Sequence, residues 1–299
     1  MDQAQQLRNV IKKQNQINQN VARVVTVTSG KGGVGKSNLA VNLAVQLRKA
    51  GKRVVIFDAD FGLANVEVMF GAIPQYNLSD FIYRGKGIKE IITPGPMDIG
   101  FISGGSGIIG LNNLYREQIM YLVKSINELN DLADFIIIDT GAGISDQVLE
   151  FVMASPEVLL VSTPEPSSLT DSYSLLKALY RNPNFVAGGT TIHVVSNRVT
   201  STDEGQGVYD KLNSVVSQFL HGKLNYLGMI PQDAALEKSV RQQQTVSLLE
   251  PNSRSAQAFE ILAGNLLNGT HNQVTMRKGI GQMFSSFLSR SEEHTSELQ

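Results

Sequence analysis

Apolar and polar positions along this chain alternate in blocks rather than residue by residue. Residues 23–29 (RVVTVTS) form a β-branched run without a polar face, which predicts a strand covered on both sides. A glycine-rich loop and a helical stretch over 38–50 follow it. The apolar runs 54–57 and 135–138 end in carboxylates, Asp58 and Asp60 in the first and Asp139 in the second, and both predict central parallel strands. Further strands are expected at 158–161, 191–195 and 226–230, with helical periodicity over 116–130, 145–154, 168–180, 208–219 and 256–267 between them. Residues 93–97 (TPGPM) and 103–110 (SGGSGIIG) read as loops and 268–275 as a linker. This alternation predicts an α/β fold with a doubly wound, mostly parallel sheet, whose ligand sits at the carboxyl ends of the strands.

Composition narrows the chemistry. No apolar run approaches the roughly 18 residues of a membrane span, so an integral membrane protein is not expected. The first twenty residues lack the apolar core of a signal peptide, and a cytoplasmic location is the expectation. With no cysteine, disulfides, thiolate metal sites, cysteine nucleophiles and iron–sulfur clusters are excluded together. A net charge of −1 supplies no overall field for nucleic acid or anionic lipid, so nucleic acid is not expected as a partner and lipid would need a local patch.

The strongest motif is Gly30-Lys31-Gly32-Gly33-Val34-Gly35-Lys36-Ser37, which fits G-x-x-x-x-G-K-[ST] between a predicted strand and a predicted helix. Its glycines let backbone N–H groups cradle phosphate oxygens, with Lys36 reaching the β- and γ-phosphates and Ser37 placing its hydroxyl on Mg²⁺. Lys31 is the addition. A second lysine this early in the loop cannot comfortably share its own γ-phosphate with Lys36, whereas it can reach a neighbour's.

On these residues the chain resembles the MinD/ParA family of deviant-Walker P-loop ATPases (K-G-G-x-G-K-[ST]). The resemblance implies ATP and ADP as nucleotides and an ATP-sandwiched homodimer whose interface Lys31 crosses. It also implies nucleotide contacts from residues 30–37 together with Asn38 and Asn65. Asp58-Ala59-Asp60 then resembles the first switch, in which Asp60 orients the attacking water and Asp58 supports Mg²⁺-bound water; paired aspartates at a strand end also serve as turn and cap chemistry. Asp139 is placed as the second carboxylate of the metal site, two strands after the phosphate loop, with residues 140–143 (TGAG) as a mobile second switch. Asp60, Lys31 and Lys36 are the catalytic candidates, and Ser37, Asp58 and Asp139 the metal candidates. The chain has Ser196-Asn197-Arg198-Val199 where a guanine site of related GTPases uses N-K-x-D, which favours adenine. Asn197 offers an amide for an adenine edge, and the resemblance places Arg198 over the base and Pro231 and Asp233 beside it. Each of these also suits an ordinary turn.

The two ends refine the resemblance. Met276, Ile280, Met283, Phe284, Phe287 and Leu288 fall on one arc of a helix over 276–289, the pattern of an interfacial membrane helix, though docking on a core uses the same pattern. Gly279 and Gly281 weaken that helix in water by about 1 kcal/mol each. Residues 1–20 hold six glutamines and four asparagines, a composition that suits a flexible arm. Within it Asp2-Gln3-Ala4-Gln5-Gln6-Leu7-Arg8 resembles the activator segment of the flagellar-number ATPases called FlhG (FleN, YlxH). That resemblance implies stimulation of the SRP-type GTPase FlhF, contact with the switch (C-ring) proteins of the flagellar basal body, and peripheral association with the inner membrane face in the ATP state.

The expected organisation is an arm over 1–20, an ATPase domain over 21–268, a linker and membrane helix over 269–290, and a non-native tail over 291–299. Slow hydrolysis of ATP, stimulated by partner or membrane, would reset the switch. A septum-placing MinD and a DNA-partitioning ParA stand as alternatives on the same phosphate loop.

Overall fold

The computed structural model of the protein describes residues 21–61, 65–105 and 116–273. The arm residues 2–8 and the apolar arc 276–288 lie outside them, so those expectations stand on sequence alone.

The eight strands are β1 (Arg23–Ser29), β2 (Val54–Ala59), β3 (Thr93–Pro94), β4 (Gly100–Ile102), β5 (Phe135–Ala142), β6 (Glu157–Ser162), β7 (Thr191–Val199) and β8 (Asn225–Pro231). They form one sheet in the order β3-β4-β2-β5-β1-β6-β7-β8. Every neighbouring pair is parallel except β3–β4 at the edge. Parallel pairing requires a crossover after each strand, and the helices provide it. They are α1 (Lys36–Lys49), α2 (Asn65–Phe70), α3 (Leu78–Arg84), α4 (Arg116–Ile126), α5 (Asp146–Ala154), α6 (Pro166–Arg181), α7 (Thr202–Leu220), α8 (Ala234–Arg241), α9 (Val246–Leu249) and α10 (Arg254–Asn268).

Each strand is apolar because helices cover both faces of the sheet. Val25, Val27, Ile56, Ile137 and Leu159 pack with Leu39, Leu43 and Leu47 of α1 and Phe259 and Leu262 of α10 on one side. Phe57, Ile136 and Ile138 pack with Phe81 of α3 and Leu122 of α4 on the other, while Leu160 and Val194 meet Leu175, Leu176 and Val208 of α6 and α7. Buried all round, α1 reads LAVNLAV through its middle. Its two polar interior residues are bonded: Asn42 accepts from the Ser247 backbone N–H at 3.0 Å, and Gln46 donates to the Ser247 hydroxyl and the Ala256 carbonyl at 3.2 Å each. Side-chain caps close helix starts where the sequence offers serine or asparagine, as Ser145, Ser201, Ser253 and the Asn77–Asp80 capping box.

Three loop readings change. Thr93–Pro94, expected as loop, pairs antiparallel with β4, an edge position where a proline without an N–H is tolerated. The second switch is strand as far as Ala142, with the Thr140 hydroxyl donating to the Val27 carbonyl at 3.1 Å and the Gly143 N–H to the Ser29 carbonyl at 2.9 Å. The start of the expected linker is docked: Asn272 donates from its backbone to Asn265 at 2.9 Å, and His271 Nδ1 lies 3.1 Å from the Tyr226 carbonyl. Because β3 and β4 intervene, β5 is fourth after β1 in the chain rather than second, yet it lies beside β1 in the sheet.

Candidate nucleotide site

The phosphate loop joins β1 to α1 at the carboxyl edge of the sheet, between neighbours β5 and β6. Gly33 (φ 75°) and Gly35 (φ 102°) hold left-handed conformations that side chains disfavour. Gly30 is needed for space instead: a Cβ there would lie 2.1 Å from the backbone of Asp171 in α6. Gly35 hands directly into the first turn of α1, so a helix N-terminus faces the loop's interior, an arrangement that favours anions.

Lys36 opens α1 and is only 7% exposed. Burial lowers its pKa, opposed by the nearby carboxylates of Asp139 and Asp60. Asp139, fully buried on β5, is the reciprocal case. Neither of its oxygens makes a hydrogen bond of ordinary geometry among the described residues. Burial pushes its pKa up to about 7, against the pull of the Ser37 hydroxyl and the Lys36 ammonium. A buried carboxylate so sparsely hydrogen-bonded is costly, and a cation beside it relieves that cost. Together with the Ser37 hydroxyl it is a donor set that fits a hard divalent ion such as Mg²⁺.

Asp58 anchors the backbone of the first switch. Its two oxygens accept the backbone N–H groups of Asp60 and Val66, each at 3.1 Å, so it ties the first switch to α2. Burial, and then the charge of Asp139, holds its pKa well above the carboxylate range. Asp60 is half-buried, accepts from the Asn65 amide at 3.0 Å and is raised by burial against the influence of Lys36. Lys36, Ser37, Asn38, Asp60 and Asn65 line one cavity of about 350 Å³.

A second cavity of about 450 Å³ adjoins it and shares Gly35, Asn38 and Arg198 with it. Asn197, Pro231 and Asp233 line this side, where a base pocket is expected, and two of them also tie neighbouring segments together. The Asn197 amide donates to the Val34 carbonyl at 2.6 Å and its oxygen accepts from the Arg198 N–H at 2.8 Å, so it holds the phosphate loop. Asp233 caps α8 and also accepts from Ser255. Arg198, at φ 57°, donates to the Gly33 carbonyl at 2.7 Å, leaving its guanidinium at the junction of the two cavities.

Lys31 stands apart. Its ammonium donates to Glu165 at 2.8 Å and to the Ser167 hydroxyl at 2.7 Å, and it lines neither cavity. Sequence reading missed Glu165 and Ser167, although they follow a predicted strand at its ligand-facing end, where loops carry function in this architecture.

The profile of the ParA family, described as an NUBPL iron-transfer P-loop NTPase, matches residues 20–267. The chain belongs to the MinD/ParA family of P-loop NTPases, in its FlhG (FleN/YlxH) branch. Without cysteines, this MinD/ParA member has no thiolates with which to hold iron. It is 39% identical to the antiactivator FleN of Pseudomonas aeruginosa, covering 81% of this chain and 85% of that one. To the flagellum site-determining protein YlxH of Helicobacter pylori it is 34% identical, covering 84% of each. The septum site-determining protein MinD of Pyrococcus horikoshii, solved with Mg-ADP, shares the fold with a TM-score of 0.69 and 24% identity, covering 83% of this chain and 96% of that chain.

Proposed function

We propose that this chain is an ATP-driven switch that pairs across its nucleotide face, associates with a membrane in the ATP state and regulates the number and placement of flagella. One observation supports it most: the two lysines of a single loop occupy opposite environments. Lys36 is buried beside Asp139 and Asp60, whereas Lys31 faces the rim. A phosphate site served by Lys36 alone leaves Lys31 for a second molecule's nucleotide.

Within one subunit, the loop's N–H groups and Lys36 bind and orient the phosphates. Ser37 and Asp139 would hold Mg²⁺. When bound, that ion neutralises charge on the phosphate oxygens. Asp60, steadied by Asn65, orients a water toward the γ-phosphate, and Arg198 sits where base and phosphates meet. Turnover is slow in the monomer because Asp60 lies at the end of a switch that pairing has yet to fix.

The names of FleN and YlxH support the flagellar role, and the DQAQQLR arm supports stimulation of FlhF. The arc from Met276 to Leu288 supports the membrane step. Two such weak helices brought together by pairing gain effective concentration, which couples nucleotide state to lipid binding.

Lys31→Ala is the deciding variant: ATP-dependent dimerisation measured by sedimentation is lost while ATP still binds. Unchanged dimerisation would defeat the proposal. Co-sedimentation with anionic liposomes under ATP, ADP or no nucleotide, with and without residues 276–289, tests the membrane arm. ATP-dependent binding to DNA in place of lipid would point to partitioning. A peptide of residues 1–20 should accelerate GTP hydrolysis by FlhF, and no effect at saturation removes that role.

A further inference from the structure

Phe57, Ala59 and Phe61 occupy alternate positions on β2 and its continuation, and all three are buried with Phe81 and Leu122 on the α3 and α4 side of the sheet. Asp60, between the last two, lines the phosphate cavity instead. Alternation of this kind sends successive side chains to opposite faces, so whatever fixes the Phe61 ring also fixes the direction of the carboxylate one peptide away.

The seat of that ring is Phe151 on α5. The Phe61 and Phe151 rings meet edge to face with centroids 6.2 Å apart, and the Phe57 ring lies 5.8 Å from Phe151 at 45°. Phe151 is thus shared between the interior of β2 and the first residue beyond Asp60. Its helix begins at Asp146, just past Gly143, so α5 is the helix into which the second switch runs. Two glycines leave the room this arrangement needs. A Cβ on Gly104 would meet the Asp58 carbonyl at 2.9 Å and the Phe61 ring at 3.4 Å, and one on Gly141 of the second switch would meet Asp60 Oδ1 at 3.3 Å. Asp60 therefore faces the second switch directly, while the residue after it rests on the helix that follows that switch.

We propose that Phe61 is a positioning residue for ATP hydrolysis: its ring, seated on Phe151, locks the first switch to α5, so that Asp60 is aimed at the attacking water only while α5 is seated on β2. The Asn65 amide holds one carboxylate oxygen from the α2 side, and Phe61 holds the adjoining backbone from the α5 side. An aromatic ring suits this task, because an edge-to-face pair sets an angle as well as a distance, which an aliphatic side chain does not. The inference rests on the reading of Asp60 as the residue that orients the water.

The test is phosphate release at saturating Mg-ATP, with ATP affinity measured by equilibrium dialysis, on the full chain. The proteins compared are wild type, Phe61→Leu, Phe61→Met, Phe57→Leu, Phe151→Leu, the double variant Phe61→Leu/Phe151→Leu and Asp60→Asn. Phe61→Leu should lower kcat about tenfold with ATP affinity unchanged, since a shift of a fraction of an ångström at the reacting group is enough for that. Phe61→Met should move the same way. Phe57→Leu loses a ring contact with the same Phe151 at a similar cost in core packing, yet should keep kcat within about twofold of wild type. Phe151→Leu should slow hydrolysis as Phe61→Leu does, and the double variant should be no slower than the slower single one, because both remove a single contact. If Phe61→Leu keeps the wild-type kcat, or if Phe57→Leu slows hydrolysis as much, the inference is overturned while the role of Asp60 stands. A loss of ATP affinity in Phe61→Leu as large as its loss of kcat would overturn it too, as general damage to the core. Should Phe61→Leu fail to fold, Phe61→Met decides in the same sense. Undiminished hydrolysis by Asp60→Asn would instead overturn the reading on which the inference stands.

Discussion

The Asn65 amide donates to Asp60 Oδ2 at 3.0 Å, across a switch whose next backbone N–H, that of Val66, is held by Asp58 at 3.1 Å. The first turn of α2 therefore aims the carboxylate assigned to the attacking water. Asp60→Asn should lower the rate of ATP hydrolysis about 100-fold. Asn65→Ala, which frees the carboxylate without removing it, should cost about tenfold in kcat with KM for ATP little changed. Steady-state phosphate release on both variants checks this, and equal losses would show that Asn65 does more than aim Asp60.

Two glycines of the phosphate loop make opposite predictions. At Gly30 a methyl group meets the α6 backbone at 2.1 Å, whereas at Gly32 the nearest atom is the Ala142 Cβ at 4.0 Å. Gly30→Ala should destabilise the fold by roughly 3 kcal/mol or more, and Gly32→Ala should stay within about 0.5 kcal/mol of wild type. Urea denaturation of the nucleotide-free protein measures both.

Asp139 gives the nucleotide-free protein a pH dependence. Its pKa is about 7 when folded, against 3.8 as its ordinary value, so the folded state holds the proton more tightly. Stability on this account falls as pH rises from about 4 through 7, and the full cost is present above 7. Asp139→Asn should therefore melt higher than wild type at pH 8, by roughly 1–3 kcal/mol, with the difference closing toward pH 5. The variant should also gain less than wild type from added Mg²⁺ and ATP. Calorimetry across this pH range, with and without ligand, reads both effects.

The centre of the fold and the phosphate loop were legible because their signals are local. A β-branched run, a glycine motif and a helix follow in order within residues 23–49, and each carboxylate sits at the end of an apolar run. What escaped was short or tertiary. β4 has three residues and α9 four, too few to show a period. Asn197 and Asp233 were found as residues, but their hydrogen-bonding partners, Val34 and Ser255, come from elsewhere in the chain. The bond from Lys31 to Glu165 spans 134 positions, and no local pattern encodes such a contact.

β1 has a consequence for how the ends of the protein learn the state of its centre. Ser29 at one end of this strand touches the second switch through its carbonyl, while Ala22, just before the other end, hands over to the arm. Seven residues at about 3.3 Å make a strut of roughly 23 Å, too short to bend and hydrogen-bonded along both edges. The docked residues after α10 also sit at that far side, against Tyr226 at the start of β8. Ala22 and His271 thus both lie on the side of the sheet away from the phosphate loop. A nucleotide held by the phosphate loop therefore sits a full strand length from Ala22 and from His271.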